Sequence, residues 1–363
     1  MSSERLAAVA VAAGAAAAFV ATFAGVDAAF AHGVLSPGTS AWSAWALTPE
    51  IVAGSLIAAL LYGVGLHRRQ ERERGRGWRH LAFYAGLAAI FLALQSPIDA
   101  IAERVFVIHQ IQHLLLRMIG PMLLMLSAPQ GLLVAGMPKA AQRRLLAPIL
   151  ASGAVRGVFG FLARPVVATV LFVAMLYVWQ IPRLHDLALR DDGLHYLMHA
   201  SLLFTGLVFF WRVFDPRPAP QGTRYGIRLM MLWMTILANI VIGASLVFKS
   251  DVLYPAYGDL GRLWEMSALV DERLGAATIW IPGSMMSLIA ILIVIHMWGR
   301  HETRVEARAE TRERAVAPPL TAADVIRDRA GRNRTMALGF AAFAAAVFAA
   351  AIMVGVVRFL MGA

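Results

Sequence analysis

The 363-residue chain contains no cysteine. That absence removes disulfides, thiolate metal sites, iron–sulfur clusters and cysteine nucleophiles together, so a metal would have to be held by histidine, methionine, carboxylate or backbone groups. Charge is scarce as well: Asp, Glu, Lys and Arg are 15% of the residues against 59% hydrophobic, and the mean hydropathy is +0.66. A water-soluble globule is not built from such a composition. A glycine-rich phosphate loop, a nucleophile elbow and an H-E-x-x-H zinc motif are all missing, which leaves little support for a nucleotide-driven pump, a hydrolase or a zinc protease. No heptad, no Gly/Ser tract and no repeat of about 20–50 residues is found.

What the chain does have is apolar runs near the length of a bilayer crossing. They fall near 6–31, 45–66, 80–95, 105–127, 165–182, 194–214, 229–248, 274–298 and 335–360. The expected fold is all-α: a polytopic membrane helix bundle with a seven-helix core plus additional N- or C-terminal spans. Four regions follow. Residues 1–31 form a hydrophobic span, either a retained helix or a signal peptide with Arg5 in its n-region and an Ala29-Phe30-Ala31 cleavage site. Residues 32–300 form the membrane bundle, 301–334 a charged linker alternating Glu and Arg before Pro318-Pro319, and 335–363 a last helix.

The net charge of +11 does not indicate nucleic acid, because the basic residues are sorted by loop. One set of alternate loops carries Arg5, the group from Arg68 to Arg79, Lys139 to Arg164, Arg212 to Arg228, and nine arginines from Arg300 to Arg334, altogether 25 of the 33 Lys and Arg. The opposite loops hold Arg104, Arg183, Arg190, Lys249, Arg262 and Arg273. The positive-inside rule then places the rich side in the cytoplasm of an inner (plasma) membrane.

Two histidine pairs, His109/His113 and His195/His199, are each spaced i,i+4 and sit near the ends of their spans that face the poor, extracytoplasmic or periplasmic side. Residues four apart share a helix face, about 6 Å apart along the axis, so each pair can offer two imidazoles to one ion. Ionisable groups inside membrane helices are costly and point to function, and imidazole suits copper, zinc and iron. The site is expected to open outward, and binding should weaken below about pH 6 as the rings protonate. Met198 lies on the same broad face as a soft secondary candidate, and His32 would become an N-terminal chelating histidine if the first span were cleaved. Met118, Met122 and Met125 stand roughly 140° away from His113 on an ideal helix and read as packing. Arg117 continues the stripe of His109 and His113 one turn deeper, where it needs a carbonyl, Asn239 or water as partner.

Beyond the pairs, Ser96-Pro97-Ile98-Asp99, His109-Gln110-Ile111-Gln112-His113-Leu114-Leu115-Leu116 and Ala128-Pro129 occur in order. They are followed by Trp179-Gln180-Ile181-Pro182, the second pair with Phe209-Phe210-Trp211, and Asp271-Glu272-Arg273-Leu274-Gly275 leading to Trp280-Ile281-Pro282-Gly283. This series resembles the CtaG-like assembly factors of caa-type cytochrome c oxidases over residues 45–300. The resemblance implies a seven-helix membrane protein that builds the oxidase, supplying copper to its haem–copper centre, with cytochrome c oxidase subunits and the lipid bilayer as partners. It puts His109, His113, His195 and His199 in the metal shell, with Gln112 and Asp271 nearby. Gln180 stands where the family motif has histidine, His185 where it has tyrosine, and Glu272 where it has glutamine, so His185 enters as a displaced candidate ligand. Three other readings stay open: a membrane cytochrome with haem between the histidine helices, a metal-free scaffold for oxidase subunits, and a copper transporter.

Overall fold

The computed structural model describes residues 40–69, 75–217 and 221–314, together with residue 338. His32, the first span, the last span and most of the charged linker lie outside the described residues. Within them the chain is helical without strands. The long elements are α1 (Pro49–Arg68), α2 (Gly77–Gln95), the short α3 (Pro97–Ala102) and α4 (Phe106–Ser127). Then come α5 (Gln130–Gly136), α6 (Lys139–Ala151), α7 (Gly153–Leu162), α8 (Pro165–Trp179) and α9 (Pro182–Arg190). The bundle is completed by α10 (Asp192–Val213), α11 (Tyr225–Val247), the single turn α12 (Ala256–Asp259) and α13 (Ala268–Arg314).

Helix starts follow the local sequence. Pro49, Pro97, Pro165 and Pro182 occupy first turns, where a missing N–H costs nothing, and Ser96, Ser152 and Asp191 accept backbone N–H bonds as caps. Among the described residues, five helices are long and apolar enough to cross a membrane, and up to eight spans result if each of three bent pairs counts as one. The chain is a multi-pass membrane protein.

Two differences from the sequence expectation matter. The run 165–182 is not one straight helix: it breaks at Gln180-Ile181 and turns by 75° into α9. Pro182 explains the break, because it cannot donate to the helix ladder and forces Ile181 to extended angles (φ −66°, ψ 118°). The stretch 139–162, expected as a basic loop, is instead a helix pair bent by 68°. Its apolar residues Leu145, Val158 and Phe161 face outward beside Arg143, Arg144 and Arg156.

Close backbone approaches set the helix spacing. A Cβ on Gly65 of α1 would lie 1.9 Å from the Leu132 carbonyl oxygen of α5, and one on Gly136 would lie 1.8 Å from that of Leu61. A Cβ on Gly206 of α10 would meet the Arg117 carbonyl oxygen of α4 at 2.3 Å. Arg117 itself sits in a π-helical turn, Leu115–Ile119, in the middle of α4. Gly136→Ala should therefore lower the stability of the purified protein by about 1–3 kcal/mol through overpacking. Gly54→Ala, whose Cβ would meet nothing within 4 Å, should raise it by about 0.5–1 kcal/mol. Paired thermal melts in the same detergent check both signs.

Candidate metal centre

α4 and α10 begin at the same end of the bundle, and their first turns carry the histidine pairs inward. His109 and His113 are 0% and 4% exposed, and His195 and His199 are 2% and 6%. Within each pair the ring centroids are 4.3 Å and 4.5 Å apart. Across the helices, His109 stands 5.3 Å from His195 and 5.7 Å from His199, and His113 stands 5.5 Å from His199. Ring nitrogens of His109, His113 and His199 all lie within 4.8 Å of one another. His195 adjoins His199 at the edge of this trio.

The bend at Pro182 brings a fifth imidazole to the group, with the His185 ring 5.1 Å from that of His109. Its two nitrogens are both engaged. Nδ1 is 2.8 Å from the Trp179 carbonyl oxygen and Nε2 is 2.8 Å from the Tyr257 hydroxyl, which is also 2.7 Å from His109 Nδ1. For neutral rings this chain has one consistent proton order. A carbonyl can only accept, so His185 Nδ1–H donates to Trp179, leaving His185 Nε2 to accept the Tyr257 proton. The Tyr257 oxygen then accepts from His109 Nδ1–H, and the His109 lone pair is fixed on Nε2. Burial, and then the nearby Asp271 carboxylate, push the Tyr257 hydroxyl well above the ordinary phenol pKa, so it keeps the proton the relay requires. His109 Nε2 is buried without a hydrogen-bond partner, as is His113 Nε2. Buried ring nitrogens left unbonded are costly. They are what a soft or borderline metal ion takes as ligands, and the donor set of neutral imidazoles fits such an ion.

The other polar groups and Met198 have protein partners around the histidine cluster. Asp271 accepts from the backbone N–H groups of Phe106 (2.9 Å) and Val107 (2.9 Å) and pairs with Arg262, so it caps the first turn of the helix that carries His109. Gln112 donates to the Ala93 carbonyl (2.9 Å) and to Asp99 (2.6 Å), tying α4 to α2 and α3. Met198 is fully buried in an apolar cluster with Trp179, Ala188 and Leu202. Asp186 accepts the Ala256 amide. Gln180 donates to Gln110 at 2.8 Å, and its carbonyl accepts the Tyr254 hydroxyl at 2.8 Å. Arg117 reaches the Phe172 carbonyl (3.4 Å) and lies 3.9 Å over the Phe172 ring, so its partner is a carbonyl and an aromatic face, not Asn239.

The expected open mouth is closed. Segment 249–262 covers the histidines, with Tyr254 and Tyr257 fully buried and Phe106 stacked on Tyr254 at 4.6 Å. Four polar links hold it: Glu272 accepts the amides of Leu253 and Tyr254 (both 3.0 Å) and pairs with Lys249, Arg104 donates to the Leu260 carbonyl, Asp259 pairs with Arg190, and Arg262 pairs with Asp271.

The family model for the cytochrome c oxidase caa3 assembly factor matches residues 58–301. The chain belongs to that family. Curated relatives include an uncharacterized protein of Mycobacterium bovis, 27% identical over 276 residues, and one of Mycobacterium leprae, 25% identical over 279 residues. The matches cover 73% and 74% of this chain but 41% of each relative, so the chain spans about two fifths of the length of the curated proteins it matches. No solved structure matches it.

Two outcomes test how the centre is held. Tyr257→Phe breaks the relay without changing ring volume and should weaken metal affinity by about 10–100-fold, read by competition with a chromophoric chelator. Asp271→Ala strands Arg262 and uncaps α4, so the melting free energy should fall by about 3–5 kcal/mol; an unchanged melt would remove the capping role.

Proposed function

We propose that this protein assists assembly of a haem–copper oxidase by holding copper transiently among His109, His113, His195 and His199 and releasing it to an oxidase subunit. One observation carries the reading: in a member of an oxidase-assembly family, buried ring nitrogens from two membrane helices converge within 4.8 Å. Copper is cargo here, not a resident cofactor, and the role is assembly rather than catalysis.

The donor chemistry supports it. Imidazoles without thiolates should hold copper less tightly than cysteine chaperones do, which suits hand-over by ligand exchange. The Trp179–His185–Tyr257 relay orients His109, and His185 acts through that relay. The positive-inside pattern puts the histidine end on the extracytoplasmic side, and the cover over the cluster would have to move for cargo to pass. Packing favours an ion over haem, since five imidazoles whose neighbouring centroids lie 4.3–5.7 Å apart leave no slot for a macrocycle between α4 and α10.

The deciding measurement is the copper content and absorption spectrum of purified protein offered copper, beside a variant with the four histidines replaced by alanine. Stoichiometric copper that the variant loses, with no Soret band, is expected. A wild type that stays empty leaves the metal-free scaffold as the better account; a Soret band lost in the variant makes the protein a cytochrome; copper accumulating inside sealed vesicles makes it a transporter.

A further inference from the structure

At the end of the bundle opposite the histidines, a half-open cavity of about 200 Å³ lies between α1, α2, α4, α5, α7 and α10. Phe83, Leu87, Leu124, Phe159, Val208 and Trp211 form its walls, and the rest of its lining is apolar too. Walls of this kind offer water no hydrogen-bond partners and favour a hydrocarbon occupant. Beside it lies the bent pair α6–α7, whose exposed Leu145, Val158 and Phe161 alternate with Arg143, Arg144 and Arg156. Such a helix pair belongs in the headgroup layer of a membrane. The charge there is one-sided: from Arg104 to His185 the sequence contains no Asp or Glu, while α6, α7 and the residue before α8 carry Lys139, Arg143, Arg144, Arg156 and Arg164. Arg68 donates to the Ala135 carbonyl at 2.7 Å, and Arg69 Nη1 lies 3.5 Å from where a Cβ on Gly131 would stand, adding two cations beside α5.

We infer that this cavity is a lipid site: it takes an acyl chain of an anionic phospholipid whose headgroup lies against the arginines of α6 and α7. The apolar walls select a hydrocarbon chain, and the carboxylate-free stretch around them selects the sign of the headgroup. Phe159 joins the two parts, because it lines the cavity one turn from Arg156 on the same helix. The site is independent of the histidine cluster.

Native mass spectrometry of delipidated full-length protein, titrated with dioleoyl phosphatidylglycerol or dioleoyl phosphatidylcholine, tests this. The wild type should bind one phosphatidylglycerol about tenfold more tightly than phosphatidylcholine. Val208→Trp, which fills the cavity, should weaken both about tenfold, and Leu87→Trp on the facing wall serves the same purpose should the first variant melt early. Replacing Arg143, Arg144 and Arg156 with glutamine should abolish the preference while sparing phosphatidylcholine binding. Equal affinity for the two lipids in the wild type, or phosphatidylglycerol binding undiminished by whichever filling variant melts normally, overturns the proposal.

Discussion

The structure turns on where buried imidazole protons go. Each neutral ring has one donor and one acceptor, and in an apolar bundle neither finds water. A single carbonyl, that of Trp179, sets the order: it takes the His185 proton, which obliges Tyr257 to donate to His185 and accept from His109. The break at Pro182 is what makes this carbonyl and this ring available together, since a straight helix would carry His185 away from the cluster. A proline, a tyrosine on a single helical turn and a histidine on a short helix thus fix the tautomer of a ring on another helix.

The same end of the molecule is organised by two neighbouring carboxylates with different tasks. Asp271 looks back to the first turn of α4, and Glu272 looks up to the covering segment, so the start of α13 links the helix that carries His109 and His113 to the segment that covers them. Both have a cationic partner, Arg262 and Lys249, which offsets the cost of burying them. Neither needs to touch an ion to matter. Both carboxylates near the histidine cluster are engaged by backbone amides and a cation, and so hold the surrounding elements in place.

Much of this was legible in the sequence. Six of the seven spans between residues 45 and 298 match observed helices within several residues, and the seventh continues as helix to Arg314, because long apolar runs with few charges have little alternative in a bilayer. The i,i+4 histidines were legible because helical spacing alone puts them on one face. Three things were not. The pair α6–α7 hid behind its basic residues, which read as a loop when charge is counted without the apolar residues between. Tyr254 and Tyr257 lie just before and within the single turn α12, too short to show a periodicity that would mark them as buried. The lid was unreadable because the contacts that tie it to the bundle come from other parts of the chain, as with Arg104, 156 positions before Leu260.

One packing detail reaches beyond the site. Below the imidazoles, α4 and α10 meet at main-chain distance, the Arg117 carbonyl of the π-helical turn facing the bare Cα of Gly206. The separation of the two histidine pairs is therefore set by backbone against backbone, and side-chain sizes elsewhere on these helices have little say in it. Sequence drift along the flanks can proceed while the gauge between the pairs stays constant, so long as glycine persists at that crossing.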